Sequence, residues 1–336
     1  MRLQKHGLIG NKNLCNSYIF YGYKFLVVKV VAILFYKLIL YLSYYVYFYV
    51  ALIWQEMNSF DPVTQDPIYI NREFPSSMVP VTFESRGYKI LGTMLLAANE
   101  GLHPTIILLH GFPGNETNLD LAHVFRRQGF NVLIFHYRGC WGSDGDFCWK
   151  NLTEDLDAAV KFIKTDESKE KFRVDSRKII LIGYSMGGFA ALYYSIFHDE
   201  IKNIVSIAGF NSGAFGEILK LNKEIYLQGI EKIKGAISFV KNTSAENLLN
   251  ELIEYKDEWN LLSYVSKLSL KNLLLIGAKY DTTAPLEIHH LPLVTSLRLI
   301  NAENFEEYIL ECGHSFLDKR IQLAKIISNW LTKIEY

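Results

Sequence analysis

The hexapeptide Gly183-Tyr184-Ser185-Met186-Gly187-Gly188 has the form G-x-S-x-G and stands between an apolar run and a stretch of small residues. That setting puts a serine on a sharp strand-to-helix turn, where the backbone is strained and neighbours without bulk let the helix pack close to the sheet. Gly187, Gly188, Ala190 and Ala191 meet that need. The chemistry it offers is nucleophilic attack by a hydroxyl. Serine is a poor nucleophile until a base takes its proton, so a histidine must reach Ser185 from elsewhere in the chain.

Nine histidines compete for that role. His314, in Glu311-Cys312-Gly313-His314-Ser315, is expected in a loop after the last strand and before the C-terminal helix, at the edge where strand ends converge. His289 and His290 fall in or beside a helical segment, His123, His136 and His198 in regular elements, and His6 and His103 in unpromising surroundings. The imidazole in turn needs an acid to fix its tautomer and stabilise its charge. Asp281 follows the next-to-last apolar strand and precedes a helix that Pro285 can start. Alone it reads equally as a turn residue or a surface carboxylate; with the others it completes the order Ser185, Asp281, His314. A developing oxyanion needs preorganised N–H donors. Met186 is one expected donor, and Phe112, in His110-Gly111-Phe112-Pro113-Gly114, the other, because Pro113 has no N–H. His110 reads as a residue that organises this loop.

These side chains must be positioned by regular elements. Strands are expected at Val79–Glu84, Tyr88–Leu95, Thr105–His110, Asn131–Tyr137, Lys178–Tyr184, Ile201–Ala208, Asn272–Gly277 and Glu307–Glu311. The middle ones are almost continuously apolar, as strands buried on both faces are, so they predict a mostly parallel sheet. Helices expected at Leu119–Gln128, Leu152–Lys164, Gly187–His198, Pro285–His290 and Phe316–Ile334 supply the crossovers that parallel strands require. The fold class is α/β, an eight-stranded sheet with helices on both faces. Its first two strands pair antiparallel through Ser85, Arg86 and Gly87. Between Phe210 and Leu262 the alternation stops, and helical patterns at Gly216–Gly235 and Ala245–Tyr255 suggest an inserted cap.

With HGFPG, YRGCWGSDG (Tyr137–Gly145), GYSMGG and the pair Asp281 and His314 in this order, the chain resembles the α/β-hydrolase superfamily. Within it, the resemblance is to the prolyl-oligopeptidase, dienelactone-hydrolase and serine-aminopeptidase-like branch. The likeness covers about residues 78–334. It implies the fold and the serine machinery, and says much less about substrate. Dienelactone hydrolases carry cysteine at the turn, which Ser185 argues against here. Asp144, a rival acid, lies in a loop after the wrong strand for the family order.

Composition narrows the rest. The 336 residues are 50% hydrophobic and 21% charged, which excludes a disordered or collagen-like chain. Basic and acidic residues number 35 each, so net charge gives no reason to expect nucleic acid. The balance hides a split, since six of the basic residues and no acid lie in residues 1–55, leaving 29 basic against 35 acidic in the rest. Leu38 to Gln55 is uncharged, and an apolar stretch broken only by Lys29 and Lys37 precedes it from Phe25. That is long enough to span a bilayer, and the positive-inside rule keeps the N-terminus in the cytoplasm and puts the body outside. The alternatives are translation from Met57, which makes the protein cytoplasmic, and a buried amphipathic extension. The expected organisation is thus a basic segment with a candidate transmembrane helix over 1–56, a linker over 57–77, and a hydrolase domain over 78–334 with a cap at about 210–262. Four scattered cysteines make no disulfide scaffold, although Cys140 and Cys148 share a loop and would pair only in an oxidising compartment. No metal-ligand spacing, P-loop or G-x-G-x-x-G occurs, so neither metal nor cofactor is expected.

The expectation for function is a serine hydrolase cleaving a small or medium carboxylic ester through an acyl-enzyme, with Ser185, His314 and Asp281 reacting and Phe112 and Met186 binding the oxyanion. A peptidase for short peptides is the alternative. A non-catalytic binding or membrane-tethered module of the same fold is a further one.

Overall fold

The apolar runs form the strands of one sheet in the computed structural model, which describes residues 12–57, 60–67 and 71–334, with the side chains of the first helix described from 28 to 50. The strands are β1 (Ser77–Ser85), β2 (Tyr88–Leu96), β3 (His103–Leu109), β4 (Asn131–Phe135), β5 (Val174–Tyr184), β6 (Asn203–Ile207), β7 (Asn272–Ala278) and β8 (Phe305–Leu310). Their order is β1-β2-β4-β3-β5-β6-β7-β8. β1 and β2 pair antiparallel through a two-residue turn at Arg86 and Gly87, β2 pairs antiparallel with β4, and every later pairing is parallel. All eight expected strands are present, with ends that differ by a few residues.

The first helix, α1 (Lys12–Met57), is 46 residues long. Its segment Val28–Val50 has 23 residues and a mean hydropathy of 1.7, with exposed side chains throughout. At ~1.5 Å rise per residue that is about 35 Å, enough to cross a hydrocarbon core of ~30 Å. Chain contacts divide after Phe60, and Asp61 opens the second unit. Residues of the segment expected as a linker touch the body: Arg127 donates to the Pro62 carbonyl at 2.7 Å, and the Asn99 N–H to that of Phe74 at 2.9 Å.

Side chains alternate across the sheet, so each strand feeds two cores. Ile106, Leu108, Ile180 and Ile182 point to one face, beneath α2 (Leu119–Arg127). Ile107, Leu109, Ile179 and Leu181 point to the other, beneath α3 (Asn151–Ile163). α4 (Asp166–Phe172), capped by Thr165 accepting from the Ser168 N–H, was not expected from sequence; Phe172 is its one buried apolar anchor. α5 (Met186–Ile196) is buried along its whole length, which its Gly- and Ala-rich start allows.

Between β6 and β7 lie α6 (Ser212–Leu221), α7 (Lys223–Lys234), α8 (Ala245–Glu254) and the single turn α9 (Val265–Leu268). The continuous helical pattern expected over Gly216–Gly235 is broken at Asn222, whose extended backbone ends α6 while its side chain accepts the Ile225 N–H and starts α7. α10 (Leu286–His289) and α11 (Leu291–Leu299) follow β7. The last helix, α12 (Arg320–Leu331), packs on the α2 face and starts later than expected, because Phe316 takes a left-handed conformation and a 3₁₀ turn intervenes.

Candidate active site

β3 and β5 are neighbours, but α2 leaves β3 toward one face and α5 leaves β5 toward the other. Their two loops diverge at the carboxyl ends of the strands and open a crevice, the place where open α/β sheets hold ligands. Ser185 sits there, with φ 54° and ψ −115°. Positive φ on a residue with a Cβ costs about 1–3 kcal/mol and persists only where surroundings fix it. Here the Ser185 N–H donates to the Ile207 carbonyl at 2.8 Å, and its carbonyl accepts the N–H groups of Phe189 and Phe210. The turn is also closed by space, since a Cβ on Gly183 would lie 2.0 Å from the Gly187 oxygen.

His314 and Asp281 come to the same point from the loops after β8 and β7. His314 Nε2 is 3.0 Å from Ser185 Oγ, and Nδ1 is 2.6 Å from Asp281 Oδ2. Asp281 Oδ1 accepts the N–H groups of Thr283 and Ala284, both at 2.8 Å. Burial pushes the Asp281 carboxyl up, but the hydrogen bond and charge of His314 and the two amides outweigh it and hold the group below the usual carboxylate range. An ionised carboxylate only accepts, so His314 Nδ1 carries the proton, Nε2 is the acceptor, and the Ser185 hydroxyl donates to it. The arrangement can draw a proton off Ser185 and hold the resulting imidazolium.

Phe112 and Met186 line the same cavity as Ser185 and His314. Met186 is the first residue of α5, so its N–H has no acceptor within the helix. The loop bearing Phe112 approaches so closely that a Cβ on Gly111 would lie 3.0 Å from that of Ser185. His110 is fully buried beside it, with Nδ1 2.7 Å from the Gly111 carbonyl; burial, then repulsion from His136, push its pKa down to about 3, and it stays neutral. Asp144 is exposed on the loop after β4, while Asp281 takes the His314 Nδ1.

The cavity has a volume of about 270 Å³. Phe215, Ile233, Leu249 and Leu252, from the helices between β6 and β7, form one wall with Trp149. That wall is pinned down from the loop before α3: Trp149 Nε1 donates to the Leu248 carbonyl at 2.9 Å, and Glu251 accepts the N–H groups of Trp149 and Lys150. Val240 pairs with Cys140 in a short antiparallel bridge on the same side, and Cys140 and Cys148 are free thiols. Sequence reasoning missed Glu251, since its partners lie about a hundred positions away. It also left His289 unassigned. That imidazole is buried, stacks on Phe210 with ring centroids 4.1 Å apart, and accepts the Asn211 N–H on Nδ1 at 2.9 Å. Among the described residues no group of acids, histidines and cysteines could hold a metal.

Residues 104–279 match the family model described as alpha/beta hydrolase fold. Of curated proteins, an uncharacterized 31.7 kDa protein of Escherichia coli is 30% identical over 139 residues, covering 39% of this chain and 47% of that one. An uncharacterized membrane protein of Saccharomyces cerevisiae is 34% identical over 110 residues, covering 32% and 37%. The chain thus spans about half, or less, of the length of these relatives. Of solved structures, an esterase of Pyrococcus furiosus is 20% identical, with 80% of this chain and 99% of that one covered and a TM-score of 0.54. The acylaminoacyl peptidase of Pyrococcus horikoshii is 17% identical, with 78% and 42% covered and a TM-score of 0.58. At these identities the structures speak to the fold alone.

Proposed function

The chain belongs to the alpha/beta hydrolase fold family, and from that premise we propose that it is a serine hydrolase that cleaves a carboxylic ester through an acyl-enzyme. The observation that carries this proposal is the unbroken pair of hydrogen bonds from Ser185 through His314 to Asp281. Ser185 Oγ attacks the ester carbon as its proton passes to His314 Nε2, and the carbonyl electron pair moves onto oxygen, toward the N–H groups of Phe112 and Met186. Collapse breaks the bond to the alcohol, which leaves with the proton from His314. Water then attacks the acyl-enzyme, gives its proton to His314, and the acid departs as Ser185 regains its hydrogen. Asp281 stays ionised throughout and holds the imidazole in one tautomer.

Ester is favoured over peptide because the cavity wall is largely apolar and, among the described residues, Glu116 is the one acidic side chain on its lining, where a free amino terminus is ordinarily held by more. The helices over 210–262 act as a cap on this cavity. We place α1 as a single-pass anchor, with the basic N-terminal side in the cytoplasm and the body outside. A fluorophosphonate probe on the full chain in detergent tests the chemistry. Labelling of the native protein and not of Ser185→Ala is expected, with turnover of short-acyl nitrophenyl esters exceeding that of aminoacyl anilides. Labelling of both proteins, or of neither, overturns the proposal. Faster anilide turnover moves the substrate to peptides.

A further inference from the structure

The cavity is chemically two-sided, and the two sides divide the substrate. Phe215, Leu249 and Leu252 make a wall with no group to satisfy a charge or a hydroxyl. Those side chains belong to the core on one face of the sheet and Tyr184 to the core on the other; with Tyr184, Ser315 and Glu116 also line the cavity. The Tyr184 ring lies 5.1 Å from the His314 imidazole, and its hydroxyl donates to Ser315 Oγ at 3.4 Å. In acyl transfer the leaving alcohol must take its proton from His314 Nε2, so the alcohol half of an ester lies on this polar side and the acyl half faces the apolar wall.

Glu116 is half-buried and held in place, with Oε1 accepting the Asn118 N–H at 2.7 Å. Oε2 has no partner among the described residues. Arg320 pairs with Asp120 and donates to Asn118 Oδ1, and makes no direct ion pair with Glu116 among the described residues. Burial, then the negative charge of Asp281 and Glu116, push the Tyr184 phenol up to about 12 against the Ser315 hydrogen bond and the Arg320 charge, so that both carboxylates and the Arg320 guanidinium lie within electrostatic reach of that hydroxyl. Glu116 thus brings to the cavity lining a carboxylate whose Oε2 is free to accept from a substrate group.

We propose that Glu116 is the specificity-determining residue for the alcohol half: the substrate is an ester joining an uncharged acyl chain to a hydroxylated or cationic alcohol, and esters of anionic alcohols are rejected. This rests on the acyl-transfer reading above. A charge-assisted contact of this kind is worth about 10- to 100-fold in relative rate.

The test compares hexanoyl esters of choline, glycerol and glycolate, with one acyl group throughout, on the full chain in detergent. The readout is the ratio of kcat/KM for the choline ester over the glycolate ester within each protein, so that losses common to all substrates cancel. In the native protein the order choline, glycerol, glycolate is expected. Glu116→Gln should lower the choline-to-glycolate ratio by about 10- to 100-fold, and Glu116→Lys should invert it. An equal ratio in the native protein and Glu116→Gln, or a native preference for glycolate, overturns the assignment of Glu116 while Ser185 labelling by fluorophosphonate keeps the acyl-transfer reading. Failure of the native protein to label overturns both.

Discussion

Replacing His289 by glutamine should make the fold less sensitive to acid by about 2 kcal/mol between pH 7 and pH 5. In an unfolded chain imidazole titrates near 6.5. In the fold, burial pushes His289 down to about 3; Asp281 opposes this and His314 reinforces it. The folded pKa lies below the unfolded one, so between them the unfolded chain binds a proton that the folded chain refuses. The stabilisation from neutral His289 is therefore complete above about pH 6.5 and is lost as pH falls toward 3. At pH 5 the unfolded imidazole is about 1.5 pH units below its midpoint, and at ~1.4 kcal/mol per unit the loss is about 2 kcal/mol. Glutamine does not titrate, and its carbonyl oxygen can still accept the Asn211 N–H. Urea unfolding of the full chain in detergent, followed by the fluorescence of buried Trp149, Trp259 and Trp330, gives the stabilities at both pH values. The difference between the two proteins cancels other titrating groups, including His110, which burial also pushes down to about 3, and Glu251, which burial pushes up. A stability gap that stays constant from pH 7 to pH 5 would refute the picture of a neutral imidazole locked beside Phe210.

Asp281→Asn should lower kcat by about 10⁴-fold with little change in KM, because the amide favours the wrong imidazole tautomer without moving the ring; steady-state ester hydrolysis measures it. Gly183→Ala should prevent folding, since the new Cβ would sit 2.0 Å from a backbone oxygen that the turn cannot move; the check is soluble yield beside Gly101→Ala, where a Cβ meets nothing within 4 Å. Gly101 itself has φ +94°, so alanine there costs only local backbone strain. Glu251→Gln should destabilise the body by about 0.5–1.5 kcal/mol, because one carboxylate oxygen that accepts from the part-buried Trp149 N–H or the exposed Lys150 N–H is replaced by a donor, read by urea unfolding at pH 7.

The strands were legible because burial on both faces leaves no polar alternation to confuse: TIILL and KIILIGY fall in β3 and β5 within a few residues of where their apolar runs begin and end. The turn at Ser185 was legible for a steric reason, since close approach of strand and helix permits little but glycine at 183 and 187. His314 and Asp281 were singled out from loop position and chain order, and the structure places His314 Nε2 against Ser185 Oγ and His314 Nδ1 against Asp281. What periodicity could not show was punctuation by a single polar side chain. Asn222 interrupts a pattern that remains helical on either side, and it does so through one hydrogen bond to the Ile225 N–H. α4 escaped notice because a short helix with a single buried apolar anchor, Phe172, leaves no stripe to read.

The wall of the cavity was the least legible part, and the reason is physical. Leu249 and Leu252 read as an ordinary amphipathic stripe until Trp149 and Glu251 join the loop before α3 to α8. These contacts use side-chain and backbone groups that each have many possible partners in an unfolded chain, so only the closed sheet selects among them. Their consequence differs along the cap. α8 buries Ala245, Leu248, Leu249 and Leu252 and is held through Leu248 and Glu251 to Trp149 and Lys150, whereas α7 buries no residue fully and is held to the β7 side by Lys232 donating to the Thr282 carbonyl at an exposed position. Segments with few buried contacts open at lower free energy than the core. On the acyl-transfer reading proposed above, α8 is the more firmly held part of the wall, and α7, which contributes Ile233, is the part of the insertion expected to open at lower free energy.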